Sequence, residues 1–397
     1  MRLAGRRVLL GVSGGIASYK ACTIARRLTE AGAAVDAVLT ASASEFVRPV
    51  TFEALTGRPV LASLWERDRA LSHVHLAHDA ELVVLAPATA HLLARAALGL
   101  ADDLLSAILL ATRAPVLMAP AMNDDMFAHP ATQANVTALE RRGWVRVGPA
   151  VGPLAEGPSD RPGRMAEPEE IVAYAERLLL APASAVNGRC VVVTAGPTRE
   201  YLDAVRVVTN PSSGRMGYAI AAAAFARGAR VVLVSGPTTL PTPWGVERRN
   251  VTTTAEMREA VEATLPGTDV LVMAAAPADF QPTRPGEGKR PRGDGQLTVE
   301  LQPTADILES TVGARRRGGV TVGFALEHGD GLDRARDKLR RKRLDLVVLN
   351  RADDPEGGFQ VETNRVTFVT ADGVRAFDVL SKRDVAERLL DEIEQRL

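Results

Sequence analysis

The chain has 397 residues, 46% of them hydrophobic, which suits two or three soluble domains with more than one core. Lys plus Arg and Asp plus Glu each total 48, so the formal net charge is zero. A general nucleic-acid binder needs a basic surplus and is excluded, while local basic sites for small anions are not. The two cysteines, Cys22 and Cys190, make neither a disulfide framework nor a zinc spacing.

The opening MRLAGRRVLLGVSGG carries a short apolar run that stops at a glycine turn. It reads as a strand rather than a signal peptide. No apolar run reaches the ~20 residues that cross a membrane, so a cytoplasmic protein is expected.

In chain order, RRVLLGV (6–12) is a buried strand followed by a helical pattern over 16–31. AAVDAVLT (33–40), ELVVLAP (81–87) and APVLMAP (114–120) are further strands, with Ala- and Leu-rich helical patterns between. LLLAPASAVNG (178–188) has linker composition, and the domain boundary is placed near residue 184, giving domains 1–183 and 184–397. GRCVVVTAGP (188–197) then repeats the first strand and turn. It is followed by strands in 229–237, 268–277, 319–326 and 345–350 and helices near 215–227, 255–264, 331–342 and 383–396. Strands alternating with helices predict an α/β protein of two doubly wound parallel sheets. Ligands then sit beyond the carboxyl ends of the strands.

GVSGGIASYK (11–20) follows the first strand and opens a helix. Gly11, Gly14 and Gly15 let backbone N–H groups approach an anion there. The spacing is not G-x-G-x-x-G, and the second strand ends in Thr40-Ala41-Ser42 without the carboxylate a dinucleotide ribose wants. Hydroxyls suit a single phosphate and a short polar tail, as in FMN. The competing reading is a turn that only lets helix and strand pack. The segments 86–106 and 120–130 follow the third and fourth strands, and the Asn123 amide can donate to a substrate carboxylate without carrying charge.

SHVHLAH (72–78) holds three of the six histidines, and His73 and His75 would share a strand face. Metal binding is weighed and set below a single imidazole acting as acid or base, because no Asp/Glu–His constellation of zinc spacing accompanies them. GPLAEGPSDRPGRMAEP (152–168) is too rich in Gly and Pro for helix or strand and reads as a linker or a closing loop.

SGGIASYK, HVHLAH, APATA, PAMNDDM and GPLAEGPSDRPGRMAEP, in that order, resemble the flavin-dependent cysteine decarboxylases. TAGPTREYLD (194–203), NPSSGRMG (210–217), LVSGP (233–237), AAAPADF (274–280), ADIL (305–308), VGFALE (322–327) and KLRRKRLDLVVLN (338–350) continue the likeness. Together they resemble the bifunctional phosphopantothenoylcysteine decarboxylase/phosphopantothenate–cysteine ligases of coenzyme A biosynthesis. The resemblance implies a flavodoxin-like flavoprotein domain followed by a Rossmann-like ligase domain.

For the first domain it implies FMN that lends and recovers an electron pair, with no nicotinamide partner. The implied flavin contacts are Gly11, Ser13, Gly14, Gly15, Ile16, Ser42, Pro87, Ala88, Thr89, Ser106 and Met122. His73 becomes the base and Asn123 the holder of the substrate carboxylate. The family loop carries Ala-Cys-Gly, its Cys supplying the proton for the final reduction; here the sequence is Ala155-Glu156-Gly157. Glu156 is expected to replace that thiol as donor, since a carboxyl enclosed under a loop keeps its proton more readily. The alternative is a solvent-facing Glu156 and a reaction that stops at the enethiol.

For the second domain the resemblance implies CTP and an acyl-cytidylate, with Mg2+ by analogy with nucleotide activation generally. No Walker motif is present. NPSSGRMG leads into a helix start that favours an anion. Asn210 is the implied acyl-cytidylate contact. Lys289, in KRPRGDG (289–295), is the implied stabiliser of charge, although the family's further lysines are replaced here by Arg290, Pro291 and Arg292. Asp279, Lys289, Ala305, Asp306, Ile307, Leu308, Phe324, Lys338 and Lys342 are the implied nucleotide contacts. Lys338 and Lys342 share a helix face. Taken alone, 335–345 would be a solvated basic face. The run at 315–317 matches no family feature and reads as exposed charge.

Rival readings are a ligase whose flavin domain releases an oxidised enethiol, and a flavin-binding regulatory protein that has lost catalysis. Assembly follows by resemblance only: a homo-oligomer with trimeric flavin domains and dimeric ligase domains, extending to a dodecamer.

Overall fold

The computed structural model describes residues 2–65, 71–286, 288–289, 296–353 and 361–397. The chain forms two compact units, Met1–Leu180 and Ala181–Leu397. Among the described residues no helix is long and apolar enough to cross a membrane.

The first unit runs β1 (Arg7–Val12), α1 (Ser18–Glu30), β2 (Ala34–Leu39), α2 (Pro49–Thr56), α3 (Ser72–Asp79), β3 (Leu82–Ala88), α4 (Ala90–Leu98), α5 (Leu104–Ala111), β4 (Val116–Pro120), α6 (Asp124–Ala128), α7 (Pro130–Arg141) and β5 (Val145–Arg146). A small hairpin, β6 (Ala150–Val151) with β7 (Pro162–Arg164), and α8 (Pro168–Leu180) complete it. The sheet is parallel in the order β2-β1-β3-β4-β5, the flavodoxin-like arrangement with its switch point between β1 and β3.

Both faces of this sheet are covered, which is why its strands are almost continuously apolar. Val8, Leu10 and Val12 join Ile24, Leu28 and Phe52 in one core, while Leu9 joins Val83, Leu85, Leu92 and Leu105 in the other. Each such Leu or Ile side chain, fully buried, stabilises the unit by roughly 1.5–3 kcal/mol. α4 stops at Gly99, whose φ of 71° is left-handed and open to glycine without strain.

The second unit runs β8 (Cys190–Ala195), β9 (Arg199–Tyr201), β10 (Val207–Thr209), α9 (Arg215–Ala226), β11 (Arg230–Ser235), β12 (Glu247–Asn250), α10 (Thr254–Glu262), β13 (Val270–Met273), β14 (Phe280–Pro282), β15 (Leu301–Pro303) and α11 (Ile307–Ser310). It continues with β16 (Val320–Glu327), α12 (Leu332–Arg341), β17 (Leu346–Arg351), β18 (Thr363–Asn364), β19 (Val366–Val369), β20 (Val374–Ala376), β21 (Leu380–Ser381) and α13 (Lys382–Glu394). Its main sheet has the order β12-β11-β8-β13-β16-β17-β19-β20. The first six strands are parallel and follow the Rossmann sequence 3-2-1-4-5-6.

Three expectations change. β19 and β20 extend the second sheet antiparallel, so it is mixed at one edge. The histidine segment is a helix, so His73 and His75 do not share a strand face; residues two apart on a helix point about 200° apart. Pro162–Arg164, inside the Gly/Pro-rich loop, is a strand paired to β6.

α9 lies against β8 and β11 with Ile220, Ala221, Ala223 and Ala224 buried. Its Gly217 is required by closeness, since a Cβ there would sit 2.6 Å from Ala195 Cβ and 2.8 Å from the Thr194 carbonyl oxygen.

Candidate functional site

In the first unit the polar groups gather at the switch point. Ser13, directly after β1, is buried, with its hydroxyl 2.7 Å from the Pro87 carbonyl oxygen and 3.1 Å from Thr89 Oγ1. The Thr89 amide donates back to Ser13 Oγ at 3.1 Å, and Thr89 Oγ1 caps α4 by accepting from the Leu92 amide at 3.4 Å. After β2, Thr40 Oγ1 and Ser42 Oγ lie 3.1 Å apart. A Cβ on Gly14 would fall 2.5 Å from the Ser42 carbonyl carbon, whereas one on Gly15 would meet only Thr89 Cγ2 at 3.6 Å.

α1 starts without a capping side chain, the arrangement in which a helix start favours an anion. Ile16 beside it is 65% exposed, an apolar surface next to a cluster of hydroxyls. A tight backbone cradle, hydroxyls and an apolar flank fit the phosphate, polar tail and ring of FMN. Ala88 is buried within β3 beside them.

Gly11, Ser106 and Met122 stand differently. Gly11 is inside β1, where a Cβ would press on Leu105 Cδ1 at 2.7 Å and Leu85 Cδ2 at 2.8 Å, so its smallness serves the core. Ser106 is buried, and its hydroxyl is engaged by Asp103 and by Arg95 Nη2, both at 2.8 Å, in the capping box of α5. Met122 donates its amide to the Gly163 carbonyl at 3.0 Å, which docks β7 beside α6.

Asn123 is the N-cap of α6. Its Oδ1 accepts from the amides of Asp125 at 2.9 Å and Met126 at 3.2 Å. The cap turns Nδ2 away from the helix, and Nδ2 donates to the carboxylate of Glu156. Glu156 is exposed, not enclosed as expected. His73 lies half-buried on α3, after residues 66–70, which fall outside the described set.

Sequence reasoning did not foresee what fastens this loop. Ser159 Oγ donates to Asp124 at 2.5 Å, and Arg161 reaches Asp124 at 3.0 Å and Asp125 at 2.6 Å. The Ser159 hydroxyl first, and the Arg161 charge after it, hold the Asp124 carboxyl below the usual carboxylate range. The available signal was the Asp124–Asp125 pair after β4 and the arginines Arg161 and Arg164 in the Gly/Pro-rich loop.

In the second unit the switch point lies between β8 and β13. Asn210 Nδ2 donates to the carbonyls of Ala276 at 3.2 Å and Pro277 at 2.9 Å, pinning the turn after β13. Next to it Gly214, at φ 78°, begins α9. Asp279 is exposed just beyond the same turn, and its carbonyl accepts from the Thr304 amide at 2.9 Å, tying it to the segment that holds Ala305 and Asp306.

Asp306 caps α11 through the Glu309 amide at 3.1 Å and pairs with Lys342 Nζ. Burial alone opposes its ionisation, but the Lys342 ammonium, the capped amide and Lys338 outweigh it and hold its carboxyl low. Lys338 Nζ donates to the Phe324 carbonyl at 2.6 Å. Burial, then repulsion from Lys342, pushes its amine down, against the pull of Asp306, Glu327 and Asp279. Ile307 and Leu308 are buried and serve as the anchor of this segment.

The structure thus brings Asp279, Asp306, Phe324, Lys338 and Lys342 into one neighbourhood. The basic segment is therefore not a solvated face along its whole length. Lys289 is exposed, and the rest of its loop, residues 290–295, lies outside the described set. Among the described residues no group of three or more His, Cys, Asp or Glu is arranged to hold a metal.

The comparisons with known proteins divide along the same two units. Residues 2–180 match the family described as Flavoprotein, and residues 186–397 match the DNA/pantothenate metabolism flavoprotein C-terminal domain. The coenzyme A biosynthesis bifunctional protein CoaBC of Vibrio cholerae serotype O1 is 44% identical over 399 residues, covering 100% of this chain and 99% of its own. That of Bacillus subtilis (strain 168) is 44% identical over 396 residues, covering 98% and 97%. That of Mycobacterium tuberculosis H37Rv is 47% identical over 403 residues, covering 98% and 96%.

Proposed function

Because this chain belongs to the bifunctional CoaBC family, decarboxylase and ligase of coenzyme A biosynthesis in one polypeptide, we propose a reaction in two stages. The second unit joins 4′-phosphopantothenate to cysteine through an acyl-cytidylate made from CTP. The first unit decarboxylates the resulting 4′-phosphopantothenoylcysteine to 4′-phosphopantetheine with FMN. The observation that carries this reading is the likeness of both units, over their full length, to relatives named as bifunctional in coenzyme A biosynthesis.

Bound FMN supplies reversible two-electron chemistry. Ser13, Thr89 and Ser42 hold its polar end, and Ile16 flanks it. His73 takes a proton from the substrate. Asn123 Nδ2 donates to the substrate carboxylate; its present bond to the Glu156 carboxylate supports that role, since the amide is already aimed at such a group. Glu156 delivers the proton of the last reduction. In the second unit Asn210 and Lys289 steady the acyl-cytidylate, and Asp279, Asp306, Lys338 and Lys342 seat the nucleotide with Mg2+. The exposed apolar side chains Ile16, Tyr19, Phe46 and Val50 support a homo-oligomer built through the flavin unit, which a solution mass measurement tests.

The exposure of Glu156 favours one second reading, release of the enethiol. One product analysis by mass separates the two. Full-length protein given 4′-phosphopantothenate and cysteine should make 4′-phosphopantetheine only when CTP is added, with pyrophosphate released in step. Enethiol as the end product supports the second reading. Absence of CTP-dependent pyrophosphate refutes the ligase chemistry. A Glu156→Gln protein that still yields fully reduced product at an unchanged rate refutes proton donation by Glu156.

A further inference from the structure

Arg315 begins the arginine run between α11 and β16 and does not behave as exposed charge. Arg316 extends outward to Asp269, and Arg317 is exposed. Arg315 is instead half-buried and folded against the chain. Its Nη1 donates to the carbonyls of Lys342 at 2.9 Å and Arg343 at 3.2 Å. Its Nη2 donates to the Leu308 carbonyl, and Nε and Nη2 lie 3.4 Å and 3.3 Å from Thr311 Oγ1.

The accepting carbonyls come from the short helix α11 and from the C-terminal end of α12. Leu308 is in α11, and Lys342 is the C-cap of α12, followed by Arg343 at a left-handed φ of 47°. The carbonyls at the end of α12 have no intrahelical partner and carry the negative end of its dipole, so a cation is favoured there; the Leu308 carbonyl also accepts from Thr311 Oγ1 at 3.2 Å. Burial pushes the guanidinium down, and Asp345 and then Asp306 oppose it. Guanidinium suits the position because five N–H groups lie in one rigid plane, whereas an ammonium is a compact point donor.

The same two segments are also joined on another side, by Lys342 Nζ to Asp306. That ion pair involves groups an anionic nucleotide would engage, so ligand and pair compete for the same ammonium. The Arg315 bracket uses only backbone carbonyls and Thr311, and survives such competition.

We propose that Arg315 is a positioning residue of the nucleotide site, fixing the spacing between Asp306 at the head of α11 and Lys338 and Lys342 on α12. The inference rests on the reading that these residues hold the nucleotide. Full-length Arg315→Gln and Arg315→Lys are compared in steady-state ligation, with Arg316→Gln as neighbouring control and Asp306→Asn and Lys338→Met as direct-contact variants. Losing a charged three-carbonyl bracket raises the KM for CTP about tenfold or more. The KM for cysteine and the decarboxylation of supplied 4′-phosphopantothenoylcysteine stay as in the parent, and Arg316→Gln is silent. Arg315→Lys does not rescue, because one ammonium cannot span both segments. An unchanged KM for CTP in Arg315→Gln overturns the proposal. So do parallel losses for CTP and cysteine, which mark general loosening. If Asp306→Asn and Lys338→Met also leave the KM for CTP unchanged, the nucleotide-site reading falls and the proposal with it. If they raise it while both Arg315 variants do not, only the positioning role falls. Should Arg315→Gln not fold, Arg315→Lys with parental KM for CTP overturns the proposal on its own.

Discussion

Gly14→Ala puts the flavin cradle to its most direct test. A Cβ at this position would lie 2.5 Å from the carbonyl carbon, the Cβ and the Oγ of Ser42. Carbon atoms rest about 3.5–4.0 Å apart, so the two segments must part by about 1 Å. Turning the Ser42 side chain moves only Oγ. The carbonyl carbon belongs to the backbone, so the turn after β2 must shift, taking the Thr40–Ser42 contact with it. Neither Gly14 nor Gly15 has a positive φ, so the effect is one of space and not of backbone strain. Gly15→Ala is the matched control, since its methyl meets only Thr89 Cγ2, at an ordinary 3.6 Å. Forcing such a shift costs typically about 1–3 kcal/mol. Spent on the bound conformation, that weakens FMN binding by about tenfold to a hundredfold. Titration of each apoprotein with FMN, followed by quenching of flavin fluorescence, gives the two dissociation constants. Circular dichroism melts run in parallel show whether the fold is intact. Parental affinity in folded Gly14→Ala would mean that the flavin does not sit on this turn.

Asn123→Ala should lower kcat/KM for decarboxylation by about tenfold to a hundredfold, because it deletes a donor to a charged group and uncaps α6 for about 1 kcal/mol; unchanged kinetics would discard the carboxylate-holding role. Arg161→Gln should speed hydrogen exchange in the loop around Glu156 while moving the melting temperature little, since exposed ion pairs contribute about 0–1 kcal/mol; equal exchange in parent and variant would show that the Asp124–Asp125 clasp does not hold the loop. Burial, with Arg215 adding repulsion, pushes the Lys382 amine from 10.5 to about 8. The unfolded chain therefore binds the extra proton between those values, and stability from this group rises with pH across pH 8 to 10.5. Lys382→Met should be favoured relative to the parent below pH 8, with the difference in melting temperature shrinking above it; a difference independent of pH would contradict the assignment.

What could be read in advance followed physical periodicity. β1, β3, β8 and β13 are apolar on both faces and end at Gly or Pro turns, so strand, turn and ligand edge were all visible locally. The histidine helix was not, because eight residues with His73 and His75 among them fit period two as well as about two turns of helix. β19 and β20 were hidden for a related reason: an edge ladder of four and three residues has no periodic signal beyond its neighbours. Arg315 was misread because charge in a run looks solvated unless the carbonyls facing it are known, and two of the three come from residues 27 and 28 positions away. Glu156 was placed in the right loop, yet its partner Asn123 lies 33 residues earlier, and its exposure depends on a hairpin that composition argued against.

The Asn123 amide is committed at both ends. Its oxygen is claimed by the first turn of α6, so the group cannot be rotated to offer that oxygen to the loop without unwinding the helix start. Polarity at this spot is thereby set by the main chain rather than by rotamer choice. Aspartate, though nearly identical in shape, would keep the helix start and yet repel every anion that arrives.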